Sequence, residues 1–101
     1  KTGMTQRVMN IIEKIESDDE LDADKRAFFQ ILLFMSNRVS DSNIEKYFNE
    51  MGRQDNYSRC FKYAIDMKYI SLCEPEPGRF FYLLTEDGTD YAGDVLKKYK
   101  N

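Results

Sequence analysis

Between positions 56 and 66 the chain sets Asn56, Ser58, Arg59, Lys62, Tyr63 and Asp66 within about three helical turns. Side chains of this kind suit a nucleic-acid groove, because cations meet phosphate or guanine and neutral polar groups meet base edges. They also suit simple solubility, since surface helices ordinarily carry mixed charge. Covalent and metal chemistry have far less to work with. There is no histidine, the most frequent general base and the usual companion of a metal-binding cysteine. Cys60 and Cys73 form no CxxC pair and read as reduced thiols packed as small hydrophobes. Gly-rich phosphate loops and Gly-x-Ser-x-Gly are missing. The acidic run from Asp18 to Asp24 offers no register with the glycine and glutamate of a calcium loop. The expectation is a protein without catalysis, metal or cofactor.

The polar set needs a helix to carry it. Tyr57, Phe61, Ala64, Ile65 and Lys68 recur at i, i+4, i+7, i+8 and i+11, with Cys60 and Met67 at the edge of the stripe. This period predicts a helix over about 56–69, with Ser58, Arg59, Lys62, Tyr63 and Asp66 facing away from the core. Upstream, Ser40 or Ser42 opens a helix that buries Ile44, Tyr47, Phe48 and Met51 and ends at Gly52. The turn Arg53-Gln54-Asp55-Asn56 follows, with Asp55 or Asn56 capping the next helix.

Thr5 caps a first helix striped by Val8, Ile11, Ile12 and Ile15, and Asp22 or Asp24 opens a second. From Ala27 to Met35 that second helix is apolar on nearly every side, broken only by Gln30. Such a helix needs cover all round, and a second copy of the chain is expected to supply part of it. The expected dimer interface is Phe28, Phe29, Leu33, Tyr91, Val95, Leu96 and Tyr99. Asn37-Arg38-Val39 reads as an extended link and candidate first strand. After Ile70, Ser71-Leu72-Cys73 and Phe80–Leu84 read as two strands around the reversal at Glu74–Arg79. Thr85 caps a last helix that ends in Lys97, Lys98 and Lys100, and Gly88 and Gly93 are expected to weaken it.

Helix, turn, helix, hairpin, helix is the order of a winged helix-turn-helix. The expected fold is therefore α+β, mainly α, with about five helices and a two- or three-stranded β wing in a single domain over residues 4–101. Lys1, Thr2 and Gly3, ahead of Met4, read as a remnant of expression cloning. Residues 56–92 resemble the recognition helix, wing and following helix of bacterial winged-helix regulators of the MarR and PadR kind. The likeness rests on Ser58, the pair Phe61 and Ala64, the exit Lys68-Tyr69-Ile70, and Leu84-Thr85-Glu86-Asp87-Gly88. It departs at Lys68, where those families use glycine, and at Glu74 and Glu76, where DNA-binding wings tend to be basic.

The chain of 101 residues has a net charge of −3, which argues against indiscriminate DNA binding. Residues 53–68, with four cations against two anions, form the net positive stretch. The leading expectation is a small cytoplasmic, homodimeric transcription regulator that binds double-stranded DNA. Asn56, Ser58, Arg59, Lys62 and Tyr63 would meet the groove, while Arg53, Gln54 and Arg79 would meet the backbone. The alternative is a winged-helix module that binds protein, suggested by net acidity, the acidic wing and seven tyrosines. No run of about 18 apolar residues marks a membrane span, and no membrane role is expected.

Overall fold

The computed structural model describes residues 5–100. Lys1, Thr2, Gly3 and Met4, and with them the reading of a cloning remnant, lie outside the described residues. Among those described, the chain forms α1 (Gln6–Glu16), α2 (Ala23–Ser36), α3 (Asp41–Glu50), α4 (Gln54–Asp66), β1 (Ile70–Glu76), β2 (Arg79–Leu84) and α5 (Glu86–Tyr99). It is mainly helical, with one two-stranded antiparallel sheet. No described helix is long and apolar enough to cross a membrane.

Short-range signals set most helix starts. The Thr5 hydroxyl accepts from the Val8 N–H at 3.3 Å, and the Asp22 carboxylate accepts from the Lys25 N–H at 2.7 Å. The Thr85 hydroxyl accepts from the Gly88 N–H at 3.0 Å. Each bond satisfies one of the four N–H groups that a helix start leaves without a partner. Ser40 stands at the N-cap of α3 without a side-chain bond to the helix.

Three helices end alike. After α2, Arg38 (φ 61°) donates to the Met35 carbonyl at 3.0 Å and Val39 donates to Phe34 at 3.1 Å. After α3, Gly52 (φ 71°) donates to Asn49 and Arg53 to Phe48, both at 2.9 Å. After α4, Lys68 (φ 68°) donates to Ile65 at 3.0 Å and Tyr69 to Ala64 at 2.8 Å. This paired pattern around a left-handed residue is the Schellman exit. Glycine adopts it freely; Arg38 and Lys68 adopt it against steric resistance.

These exits revise several expectations. The left-handed Gly52 turns the chain so sharply that α4 begins at Gln54, and neither Asp55 nor Asn56 caps it. Lys68, expected on the buried stripe, lies beyond the helix and is exposed, so α4 ends at Asp66 rather than near 69. Val39 leaves α2 through its exit turn and forms no strand. The strand expected to stop at Cys73 continues to Glu76, with an irregularity between Cys73 and Glu76. Pro77-Gly78 makes the reversal, and the φ of 82° at Gly78 is the geometry for which proline followed by glycine is suited.

The core gathers around α2, against which α1, α3, α4, α5 and β2 all pack. Every residue from Ala27 to Met35 is buried, Gln30 included. The Gln30 amide nitrogen donates to the Ile12 carbonyl at 3.2 Å and to the Glu16 carboxylate at 3.1 Å, tying α2 to α1. The hairpin is anchored at its base, where Ile70 is buried and Tyr82 meets Phe61 edge-on at 4.9 Å. There Thr85 donates its N–H to the Tyr69 carbonyl at 3.0 Å and its hydroxyl to the Lys68 carbonyl at 2.6 Å. A Cβ at Gly88 would lie 2.1 Å from the Tyr69 carbonyl oxygen. Gly88 therefore lets α5 start against the hairpin base, a role opposite to the weakening expected of it.

Candidate nucleic-acid interface

Helix α4 divides cleanly. Tyr57, Cys60, Phe61 and Ala64 are buried, whereas Gln54, Ser58, Arg59, Lys62, Tyr63 and Asp66 are exposed and Asn56 is half-buried. The inward side is held by stacked Tyr57 and Phe61 rings, 5.4 Å between centroids, and by the Tyr57 hydroxyl, which donates to the Asp41 carboxylate at the start of α3. Burial and that carboxylate both raise the Tyr57 pKa, so the phenol stays a donor.

The outward cations have acidic neighbours. Arg59 reaches back to Asp24 in the first turn of α2, through Nη2 to Oδ1 at 2.7 Å and Nε to Oδ2 at 3.4 Å. Asn56 donates its amide to the same Asp24 Oδ1 at 2.5 Å. Arg59 and then Asn56 hold the Asp24 carboxyl below its ordinary pKa, while Asp24 raises that of Arg59. Lys62 pairs with Asp66 at 3.3 Å, one turn along the helix. Exposed pairs like these contribute little to stability.

Two of the expected backbone contacts lie off α4. Arg53 is a brace: its side chain, 14% exposed, pairs with Glu16, donates to the Ala23 carbonyl at 3.1 Å and lies 5.7 Å from the Phe48 ring centroid. Its position just after the left-handed Gly52 turns it inward between α1 and α2, away from a role on the outer surface. Arg79 sits at the hairpin turn, 3.5 Å from Glu76. The set brought together on α4 is thus Gln54, Asn56, Ser58, Arg59, Lys62 and Tyr63. Asp24 joins them from α2, although its place in the sequence marks it only as a candidate helix cap. Asp22 does the capping, and no local signal marks a partner 35 residues away.

The expected dimer residues also divide. Phe28, Phe29, Leu33 and Val95 are buried within one chain, and Tyr91, Leu96 and Tyr99 are half-buried. Phe28, Phe29 and Leu33 need no second copy to cover them, because five elements of the same chain already surround α2. Exposed apolar side chains lie on the hairpin instead, at Leu72, Phe80, Phe81 and Leu83. An open groove of about 710 Å³ runs between β2 and residues 38–42, and a depression of about 400 Å³ lies among Asp24, Phe28, Arg59, Tyr63 and Tyr91.

Cys60 donates its thiol to the Asp24 carbonyl at 3.2 Å, and burial pushes its pKa up to about 11. A thiol so protonated at neutral pH is a poor nucleophile. Among the described residues no three His, Cys, Asp or Glu side chains gather to hold a metal. Comparison with family models, with curated proteins and with solved structures finds no match to this chain.

Proposed function

We propose that the chain is a winged helix-turn-helix regulator of transcription that binds double-stranded DNA as a homodimer in the cytoplasm. In this reading α3 and α4 are the helix-turn-helix, α4 enters the major groove and the β1–β2 hairpin is the wing. The observation that carries it is the outward face of α4, with Ser58, Arg59, Lys62 and Tyr63 exposed opposite a buried seam. A helix with its side chains is roughly 10–12 Å across and the major groove about 12 Å wide, so such a face fits as a unit. The acidic partner of Lys62 is exposed and gives way to phosphate at little cost. Two helices from a symmetric dimer would read half-sites about one helical turn apart.

The test is Arg59→Glu with Lys62→Glu, a change that leaves Phe61 and Ala64 untouched. Binding to a genomic fragment library at low salt should weaken by roughly tenfold or more per lost contact, with a shallower salt dependence. Unchanged binding by the folded variant would defeat the reading, as would a parent that retains no fragment.

The second reading, a winged helix that binds protein, has its own observation. The hairpin exposes Leu72, Phe80, Phe81 and Leu83 beside Glu74 and Glu76, a surface that suits an apolar partner better than phosphate. Glu74→Gln with Glu76→Gln separates the two. Tighter DNA binding supports a wing beside phosphate, and no change leaves the hairpin to another partner.

A further inference from the structure

Asp24, Asn56 and Arg59 form a bonded cluster that packing does not require. The Asp24 and Arg59 side chains are more than half exposed, so burial is not what gathers them. Asp22 already caps α2, which leaves the Asp24 carboxylate free. Its backbone is held where it stands, because the Asp24 carbonyl accepts from the buried Cys60 thiol on α4. The carboxylate thus projects from a held backbone position beside α4, and the first turn of α2 favours its charge.

The contact with Arg59 has a direction. Asp24 takes the Nε and Nη2 edge of the guanidinium, through Oδ2 and Oδ1. The opposite edge, Nη1 with the second hydrogen of Nη2, remains available. Two parallel donors on one edge are what guanine requires at O6 and N7. Lys62 offers a contrast: one contact to Asp66 on its own helix neutralises charge and imposes no orientation.

Building on the DNA-binding reading, we propose that Asp24 is a positioning residue that holds Arg59 for reading guanine while withholding it from phosphate. A guanidinium engaged along one edge is biased away from the nearest phosphate, because a swing must first break both bonds, and its charge is already met. Non-specific affinity falls because one cation releases fewer counterions, and discrimination rises because the free edge is aimed. Asn56, bonded to the same oxygen, is fixed beside it.

The experiment uses the full chain and its Asp24→Asn variant. A preferred duplex is first selected from a random pool with the parent. Binding is then measured to that duplex, to versions with each guanine replaced in turn, and to a random duplex, at several salt concentrations. For the variant, binding to random duplex should tighten by about threefold to tenfold, and its salt slope should steepen by about one. Preference for one particular guanine should fall by a similar factor, and that is the guanine whose contribution Arg59→Lys also removes, since lysine keeps the charge and lacks the fork. Equal tightening on every duplex would overturn the proposal and leave Asp24 as simple repulsion. An unchanged profile in Asp24→Asn, with binding still sensitive to Arg59→Glu and Lys62→Glu, would overturn the clamp alone. If parent and variant both fail to bind any duplex at low salt, the DNA reading falls and the clamp falls with it. Equal helicity and melting temperature for Asp24→Asn and parent confirm that the comparison is between folded proteins. If Asp24→Asn fails to fold, Arg59→Lys alone decides: retained guanine preference overturns the clamp.

Discussion

Helix α2 and strand β2 are both apolar runs, Ala27–Met35 and Phe80–Leu84, and they meet opposite fates. In α2 nine successive residues are buried; in β2 Phe80, Phe81 and Leu83 stay largely exposed while Tyr82 and Leu84 are half-buried. The difference lies in the neighbours. Five elements pack around α2, whereas the hairpin joins the body mainly at its base. An apolar run is a demand for cover, and only the arrangement of the other elements says whether the chain meets that demand itself. Where it does not, the surface remains for a partner.

Truncation at each end of this comparison should differ most. Leu33→Ala, fully buried in α2, should cost about 2–5 kcal/mol by chemical denaturation, and Leu83→Ala, 48% exposed, should stay within about 0.5 kcal/mol. A large, concentration-dependent cost at Leu83 would instead show the hairpin covered by a second copy. Sedimentation tests the proposed homodimer separately, with a dimer expected at micromolar concentration. A species that stays monomeric at high concentration removes the homodimer.

The joint between hairpin and body comes next. Gly88→Ala drives a methyl against the Tyr69 carbonyl and should destabilise by about 1–3 kcal/mol. Gly93→Ala, with nothing within 4 Å of the added carbon, should stabilise by up to about 1 kcal/mol. Equal effects at the two glycines would refute the close approach.

Smaller changes belong to the helix exits. Lys68→Gly and Arg38→Gly should each stabilise by up to about 1 kcal/mol, by relieving a left-handed side chain. Thermal melts that fall in both variants would mean that the long side chains contribute more than their backbone strain removes.

The smallest effect is at the seam between α5 and the α1–α2 link, where the Tyr99 hydroxyl donates to Asp18 at 2.6 Å. Burial, then this bond, push the Tyr99 pKa up to about 12, and the bond lowers that of Asp18. A raised phenol pKa stabilises below its unfolded value near 10 and is lost as pH climbs through 12. A depressed carboxyl pKa stabilises above 3.8 and is lost as pH falls below it. Tyr99→Phe should flatten both limbs of the stability–pH curve, and an unaltered curve would show the bond to be without consequence.

Much of the local architecture was legible in the residues alone. Thr5, Thr85 and Gly52 mark their helix ends, the stripe Tyr57, Phe61 and Ala64 gives the buried side of α4, and Pro77-Gly78 gives the hairpin reversal. Each of these signals acts through bonds or contacts within a few residues, so the order of side chains carries it. The brace from Arg53 to Glu16, the clamp from Asp24 to Arg59 and the approach of Gly88 to Tyr69 span 37, 35 and 19 positions. No period or cap encodes such a meeting, because it depends on where several packed helices bring their ends. The tertiary structure likewise decided that α2 is covered from within and that most of the exposed large apolar side chains lie on the hairpin, since burial belongs to the neighbours of a segment and not to its composition.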